Sequence, residues 1–376
     1  MSRISRGVFA AVGLLFVASG MSGLVFEVIW VRYLSLVVGH TTLAVSLVVS
    51  AFLAGLVLGS LWLGRRADGL RRPLLAYGLL EGATGLLALG TTWVLEGLPG
   101  WLASEGLSGG GVLAFVLLLP PTFFMGGTLP VLVRFVAREW AGRGRSFGVL
   151  YALNTLGAAL GCGLAGFYLL GAVGLWRTAV LAAGLTLLVG LAAVLVHAGL
   201  RPEPLPVEEA ARPAGSAEGA FHGARRTLLV VAFALCGFAS IAYEVLWFRV
   251  LATSLDSSTY AFTILLVTFR VGLVVGGLVY SLRLAGRVRE LELFVTVEGL
   301  LAFAGLLSLA LLGLSRPVSQ VLSGWVGGWG PNAVYVGMLL HAALVILVPA
   351  SLIGVVFPRV VQLTTRHVAS AASNVG

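Results

Sequence analysis

The sequence predicts an all-α polytopic membrane protein, about ten transmembrane helices arranged as two parallel repeats of six and four. Three observations carry that expectation. Of 376 residues, 59% are apolar and only 10% charged, against about 45–50% and about 25% in an ordinary soluble domain. Runs of about 20 apolar residues, the length that crosses a bilayer, recur along the chain. The two halves of the chain also align with each other. With a mean hydropathy of +1.03, there is too little charge to cover a soluble surface. A soluble enzyme, a nucleic-acid-binding domain and a disordered chain are excluded. The net charge of +9 does not point to nucleic acid: the 24 cations are all Arg, and most sit in short connections between apolar runs.

Ten spans follow in order, at about 8–36, 41–64, 74–95, 112–138, 148–170, 175–197, 227–253, 259–282, 292–314 and 333–362. Only helices and closed barrels satisfy every backbone group in lipid. These runs are too long and continuous for the roughly 10-residue alternating strands of a barrel. Orientation comes from the arginines. Arg3 and Arg6 precede the first span, and Arg65, Arg66, Arg71 and Arg72 follow the second. Arg138, Arg143 and Arg145 follow the fourth, Arg201, Arg212, Arg225 and Arg226 the sixth, and Arg283, Arg287 and Arg289 the eighth. The opposite connections hold only Arg177 and Arg316. This places the N-terminus in the cytoplasm and the protein in the cytoplasmic (plasma) membrane. The first span has the look of a signal peptide, with small residues at Ser19-Gly20, but its retained internal counterpart argues against cleavage.

The stretch from 198 to 226 is the only long polar segment and is rich in Pro, Ala, Gly and Glu. It reads as a flexible cytoplasmic linker. It divides the chain into a first membrane repeat (1–197) and a second, shorter one (227–376).

The repeat is visible at an offset of 217. SGMSGLVFEVIWVRYL (19–34) faces CGFASIAYEVLWFRVL (236–251). Gly20 pairs with Gly237, Glu27 with Glu244, Trp30 with Trp247 and Arg32 with Arg249. The register continues through Phe52/Phe269, Gly55/Gly272 and Gly59/Gly276, and 14 of the 46 positions from 19 to 64 are identical. Glu81-Gly82 meets Glu298-Gly299. After an 11-residue insertion the offset is 228, and Pro121, Gly126 and Pro130 meet Pro349, Gly354 and Pro358. Identity at polar and Gly positions is what a true repeat gives. Both copies begin on the same side of the membrane, so the repeat is parallel, as in the two halves of major facilitator transporters. At that register Gly376 meets Gly148. Twelve helices would make the copies equal, so the expectation is a truncated chain or a second half without its last two helices.

The elements SGMSGLVFEVIWVRYLSLVVG, FLAGLVLGSLWLGRRAD, LPPTFFMGGTLPVLVR and FGVLYALNTLGAALGCGLAGF resemble the membrane portion of fused major-facilitator-like/spermidine-synthase proteins. The resemblance runs over essentially the whole chain. In such proteins a Rossmann-like aminopropyltransferase domain often follows the membrane helices. No soluble segment here is long enough for it, and no Gly-rich strand-to-helix turn is present. The family's catalytic residues have no place in this sequence, and the chain as it stands is not expected to be an enzyme. The resemblance implies a polyamine-related role. A second likeness is GRRADGLRRP (64–73), where Gly64, Asp68, Arg71 and Arg72 are similar to the gating loop between the second and third helices of major facilitator transporters. The alternative is a positively charged cytoplasmic loop with one acid. The second copy, SLRLAGRVRE (281–290), lacks the Asp.

Ionisable groups within a membrane cost several kcal/mol unless paired or hydrated. Here they are Glu27, Arg32, Glu81, Glu244, Arg249, Arg270, Glu298 and His341. Glu27 and Trp30 share a helix face at i, i+3, as do Glu244 and Trp247. A carboxylate beside an aromatic face suits an organic ammonium ion, and Tyr243 adds an aromatic neighbour. The alternative is a polar clamp, Glu of one copy to Arg of the other. Arg32 and Arg249 lie on another face and are placed to snorkel or clamp. Glu81 and Glu298, each followed by Gly, are lone carboxylates that are expensive to ionise at that depth, as a proton-coupled carrier requires; the alternative is a hydrogen bond to a neighbouring helix. Arg270 has no twin, and Glu298 or Glu244 is its expected partner. His341 reads as a satisfied structural side chain. Pro121, Pro130, Pro349 and Pro358 kink matching helices, which suits a gate or a merely bent helix. Cys162 and Cys236 make no metal spacing or disulfide framework and read as small buried side chains.

The leading expectation is a carrier-like module for a small cationic organic solute, a polyamine or precursor by the resemblance. Glu27, Glu81, Glu244 and Glu298 would face a central cavity, with Trp30 and Trp247 as stacking walls. No cofactor or metal is expected. The partners are the bilayer, the solute and a separate aminopropyltransferase domain. The alternatives are a membrane platform for such a domain and a structural membrane subunit.

Overall fold

The computed structural model describes residues 6–38, 41–67, 69–97, 106–139, 145–200, 224–254, 258–284, 290–325 and 333–364. Among these residues there is no strand. The first half holds α1 (Arg6–Val38), α2 (Thr41–Ala67), α3 (Pro73–Gly97), α4 (Gly106–Glu139), α5 (Arg145–Leu164) and α6 (Leu170–Gly199). The second holds α7 (Ala224–Ser254), α8 (Ser258–Val279), α9 (Glu290–Leu312), a short α10 (Ser315–Trp325) and α11 (Ala333–Thr364). Single π-helical turns extend α5 (Ala165–Leu169) and α8 (Tyr280–Leu284). The long helices are apolar on all sides, the pattern of a membrane span rather than of an amphipathic surface helix. Their backbone groups are satisfied within the helix, as lipid demands.

Nine helices among the described residues are long and apolar enough to cross a membrane. The protein is therefore an all-α chain of membrane-spanning character. One of the nine, Val149–Gly199, is 51 residues long. It breaks at Gly174, whose φ of 81° and ψ of 174° lie in a region open essentially to glycine alone. The break falls between the fifth and sixth spans expected from sequence. α10 was not expected. It lies in the connection before the last span, packs against α11, and leaves Trp325 81% exposed. The linker expected at 198–226 falls mostly on residues 201–223, outside the described residues.

The same close contacts recur in both halves. α2 packs on α4, and a Cβ added to Gly55, Gly59 or Gly126 would strike Thr122, Phe123 or Leu56 respectively. α8 packs on α11, and a Cβ on Gly272, Gly276 or Gly354 would strike Ala350, Ser351 or Leu273. Every partner in the second set is the aligned counterpart of its partner in the first. Glycine permits this backbone-to-backbone approach, which is how membrane helices gain packing without a hydrophobic drive between them. The halves meet where α5 lies along α8, with Cys162 Sγ 3.9 Å from the Thr263 carbonyl. One buried cluster draws on both, including Phe26, Ile29 and Trp30 from α1, Trp247 and Phe248 from α7, and Phe262 and Phe269 from α8.

Candidate functional site

The site lies where the two halves share charge. Glu27 on α1 is 2% exposed and Glu244 on α7 is 8% exposed. Arg270 on α8 places Nη2 4.0 Å from Glu27 Oε2. Glu244 also acts electrostatically on Arg270, and the two carboxylates are close enough to act on each other. Tyr151 and Cys162 of α5 also lie within electrostatic reach of the guanidinium. Two acids, one from each half, thus share one base. Contact at 4.0 Å is an ion pair without a hydrogen bond. Glu27 Oε2 and Arg270 Nε are buried and have no hydrogen-bond partner among the described residues. Such a cluster has capacity left for a further donor.

The expected partners of Arg270 are half right: Glu244 is near, whereas Glu27 makes the ion pair and Glu298 stands elsewhere. The expected clamp through Arg32 and Arg249 is not formed. Among the described residues Arg32 is half-buried and Arg249 exposed, and the pair that crosses the halves is Glu27–Arg270. A stub of helix register explains this. Each Arg sits five residues past its Glu, so it turns to a different face.

Glu81 and Glu298 do not join this cluster. Ser19 Oγ on α1 donates a 2.6 Å hydrogen bond to Glu81 Oε1 on α3, and Tyr77 lies beside the same carboxylate. In the second half Cys236 on α7 lies beside Glu298 on α9. Ser19 and Cys236 are aligned positions, as are Glu81 and Glu298. The four glutamates expected at one central cavity therefore divide: Glu27 and Glu244 lie about Arg270 between the halves, Glu81 ties α1 to α3, and Glu298 lies beside Cys236.

Trp30 and Trp247 are fully buried and are not open stacking walls. Trp30 stacks on Phe26 (centroids 5.5 Å apart) and meets Phe52 at 6.5 Å. Trp247 stacks on Tyr243 at 5.6 Å and meets Phe269 at 6.2 Å. Their indole Nε1 groups donate to Thr92 Oγ1 at 3.0 Å and Ser308 Oγ at 2.8 Å. Both rings are thus occupied by aromatic neighbours at aligned positions. Each half carries a tryptophan tie between its first and third helices, and in the first half the Ser19–Glu81 bond adds a second, roughly 16 Å away at 1.5 Å per residue. Tyr243 serves that stack and also abuts Gly305.

Pro121 and Pro130 are buried within α4, and Pro349 is buried within α11. Proline at 121 leaves the Leu117 carbonyl without its helical amide. Thr91 Oγ1 of α3 donates to that carbonyl at 3.0 Å, so the freed acceptor is satisfied by a neighbouring helix. The side chain of Pro358 and the whole of Asp68 lie outside the described residues. Arg71 and Arg72 are exposed in the connection between α2 and α3. His341 is buried on α11, but neither ring nitrogen has a hydrogen-bond partner among the described residues, so it is not the satisfied side chain expected. No group of His, Cys, Asp or Glu there could hold a metal ion.

No protein-family model matches the chain, and no curated protein matches it in sequence.

Proposed function

We propose that the chain is a carrier-like membrane module whose two halves meet at Glu27, Glu244 and Arg270 and bind a small organic cation there. The carrying observation is the unequal count of charges. Two buried carboxylates from different halves act on one guanidinium, Glu27 at 4.0 Å from Arg270 and Glu244 through its charge, with hydrogen-bonding capacity unused on Glu27 and Arg270. An ammonium group entering between them would neutralise the second acid and supply the missing donors, which is favourable where water is scarce. Because the acids come from opposite halves, binding and release would be coupled to how the halves sit against each other. In this reading the long span splits at Gly174 into two crossings, giving ten. The two parallel repeats are major-facilitator-like. The N-terminus is cytoplasmic and the membrane is the plasma membrane of the cell. The solute is a polyamine or a precursor, as the resemblance implies.

The test is ligand-dependent thermal stability of the purified protein between pH 5 and 8, with spermidine, putrescine and neutral amino acids as probes. Spermidine or putrescine should raise the melting temperature of the wild type. Glu27→Gln and Glu244→Gln should abolish that rise, and Glu81→Gln should keep it. No stabilisation by any amine, or full retention in the Glu27→Gln/Glu244→Gln double variant, defeats the proposal. A second reading, a structural membrane subunit, is favoured by the tie of Ser19 to Glu81 and predicts no stabilisation by any of these solutes.

A further inference from the structure

Glu81 is a buried acid without a cation. It is 1% exposed, and Ser19 and Tyr77 lie against it, with no cationic side chain among the described residues; the ion pair formed there is Arg270–Glu27. A carboxylate so placed must be neutralised, because a buried charge without compensation is costly. A proton or a bound cation can do this. The side chains around the acid decide between them.

Three hydroxyls accompany Glu81. Ser19 Oγ of α1 donates to its Oε1 at 2.6 Å. Tyr77, one turn earlier on α3 and fully buried, lies beside both Glu81 and Ser19, yet its Oη has no hydrogen-bond partner among the described residues. Thr84, one turn later and 3% exposed, is also without a partner at Oγ1. Buried threonines in this chain usually spend that hydroxyl on their own helix. Thr92, Thr122, Thr155, Thr178, Thr186 and Thr263 each donate to the carbonyl four residues earlier, and Thr268 is the other exception. The i, i+3 and i+4 spacings put Tyr77, Glu81 and Thr84 on one face of α3. The second half supplies the contrast. At the positions aligned with Ser19, Tyr77 and Thr84 it carries Cys236, Phe294 and Leu301, so every hydroxyl is gone while Glu298 remains. A proton needs no such hydroxyls, since the carboxylate alone can hold it. A hard cation takes oxygen ligands, and the first half keeps four oxygen-bearing side chains together. One carboxylate is balanced by a monovalent ion, whereas a divalent ion would leave excess positive charge in a dry site. So few oxygens suit sodium better than the larger potassium ion.

We infer that Ser19, Tyr77, Glu81 and Thr84 form a sodium site within the first half, where one ion bound to the carboxylate and hydroxyl oxygens fastens α1 to α3. The two unpartnered hydroxyls turn their lone pairs to the ion, and the charge of Glu81 is compensated without a proton. The site does not rest on the organic-cation reading. Glu27 lies eight residues beyond Ser19 on α1, about 12 Å along the helix, and belongs to the cluster between the halves.

The test is equilibrium binding of radioactive sodium to the purified full chain in mildly alkaline buffer, with unlabelled sodium chloride as competitor over the millimolar range. Wild-type protein should bind the ion saturably, and Glu81→Gln should lose that binding. The Tyr77→Phe/Thr84→Val double variant keeps the acid and removes two oxygens, as the second half does, and should bind several-fold more weakly. It keeps the test decisive where Glu81→Gln fails to fold. Glu298→Gln and the Glu27→Gln/Glu244→Gln double variant should bind as the wild type does. Glu81→Gln should still be stabilised by spermidine, so the two readings fail separately. No saturable binding to the wild type overturns the inference and leaves Glu81 to a proton or a buried water. Undiminished binding in Tyr77→Phe/Thr84→Val overturns it, as does binding that survives Glu81→Gln. Loss of binding in Glu27→Gln/Glu244→Gln also overturns it, because it assigns the ion to the cluster between the halves.

Discussion

Replacing Arg270 by Leu removes the cation that acts on both Glu27 and Glu244 among the described residues and leaves two buried carboxylates without it. Glu27 is 2% exposed and Glu244 8%, so neither can turn to water. Removing one partner of a buried ion pair costs about 3–5 kcal/mol, because the remaining charge stays buried without compensation. Arg270→Leu should fall in that range. Adding Glu27→Gln should recover part of the loss, since one uncompensated charge disappears with its partner. The coupling between the two sites should be about 0.5–3 kcal/mol, the range for contacting residues. The assay is unfolding in mixed micelles with increasing dodecyl sulfate, followed by tryptophan fluorescence. A loss under about 0.5 kcal/mol for Arg270→Leu, the size of an ordinary surface change, would refute the reasoning. Strict additivity of the two substitutions would refute it equally.

Three further predictions concern the frame. Trp30→Phe and Trp247→Phe each remove an indole donor from a buried hydroxyl and should destabilise by about 1–3 kcal/mol, by similar amounts in the two halves, in the same unfolding assay. Gly174→Ala should cost about 1–3 kcal/mol, because only glycine adopts its backbone readily; a neutral result in thermal unfolding would remove the break from the first turns of α6. Gly59→Leu and Gly276→Leu drive a side chain into the Phe123 and Ser351 backbones and should cost at least ~1–3 kcal/mol, read as lost folded yield after membrane extraction.

Much of the frame was legible because membrane physics writes it in long apolar runs. The expected first span, 8–36, and α1, Arg6–Val38, differ by two residues at each end. The aligned Gly55, Gly59 and Gly126 and Gly272, Gly276 and Gly354, read in the sequence as marks of the repeat, prove to be the sites of the recurring helix contacts. α10 escaped because its 11 residues are too short and too polar for a search based on spans. The charged residues were legible as a set but not as partners. A repeat register aligns Glu27 with Glu244, but says nothing of which face of α8 meets α1, so the Arg270–Glu27 pair could not be read. The surroundings of Glu81 and Glu298 were missed for a different reason. Ser19 and Cys236 are ordinary in a membrane helix, and only their shared alignment with the paired glutamates would have exposed them. Trp30 and Trp247 were expected beside open space because i, i+3 spacing places them with the glutamates. The same helix geometry places Phe26 and Tyr243 one turn earlier, where they take the ring faces.

Spermidine uptake into proteoliposomes most directly tests the claim that acids from opposite halves hold a travelling cation. Wild-type protein should take up spermidine above protein-free liposomes, Glu81→Gln should retain uptake, and Glu27→Gln or Glu244→Gln should reduce it to the protein-free level. Wild-type uptake no greater than that of protein-free liposomes, or undiminished uptake in the Glu27→Gln/Glu244→Gln double variant, would contradict it.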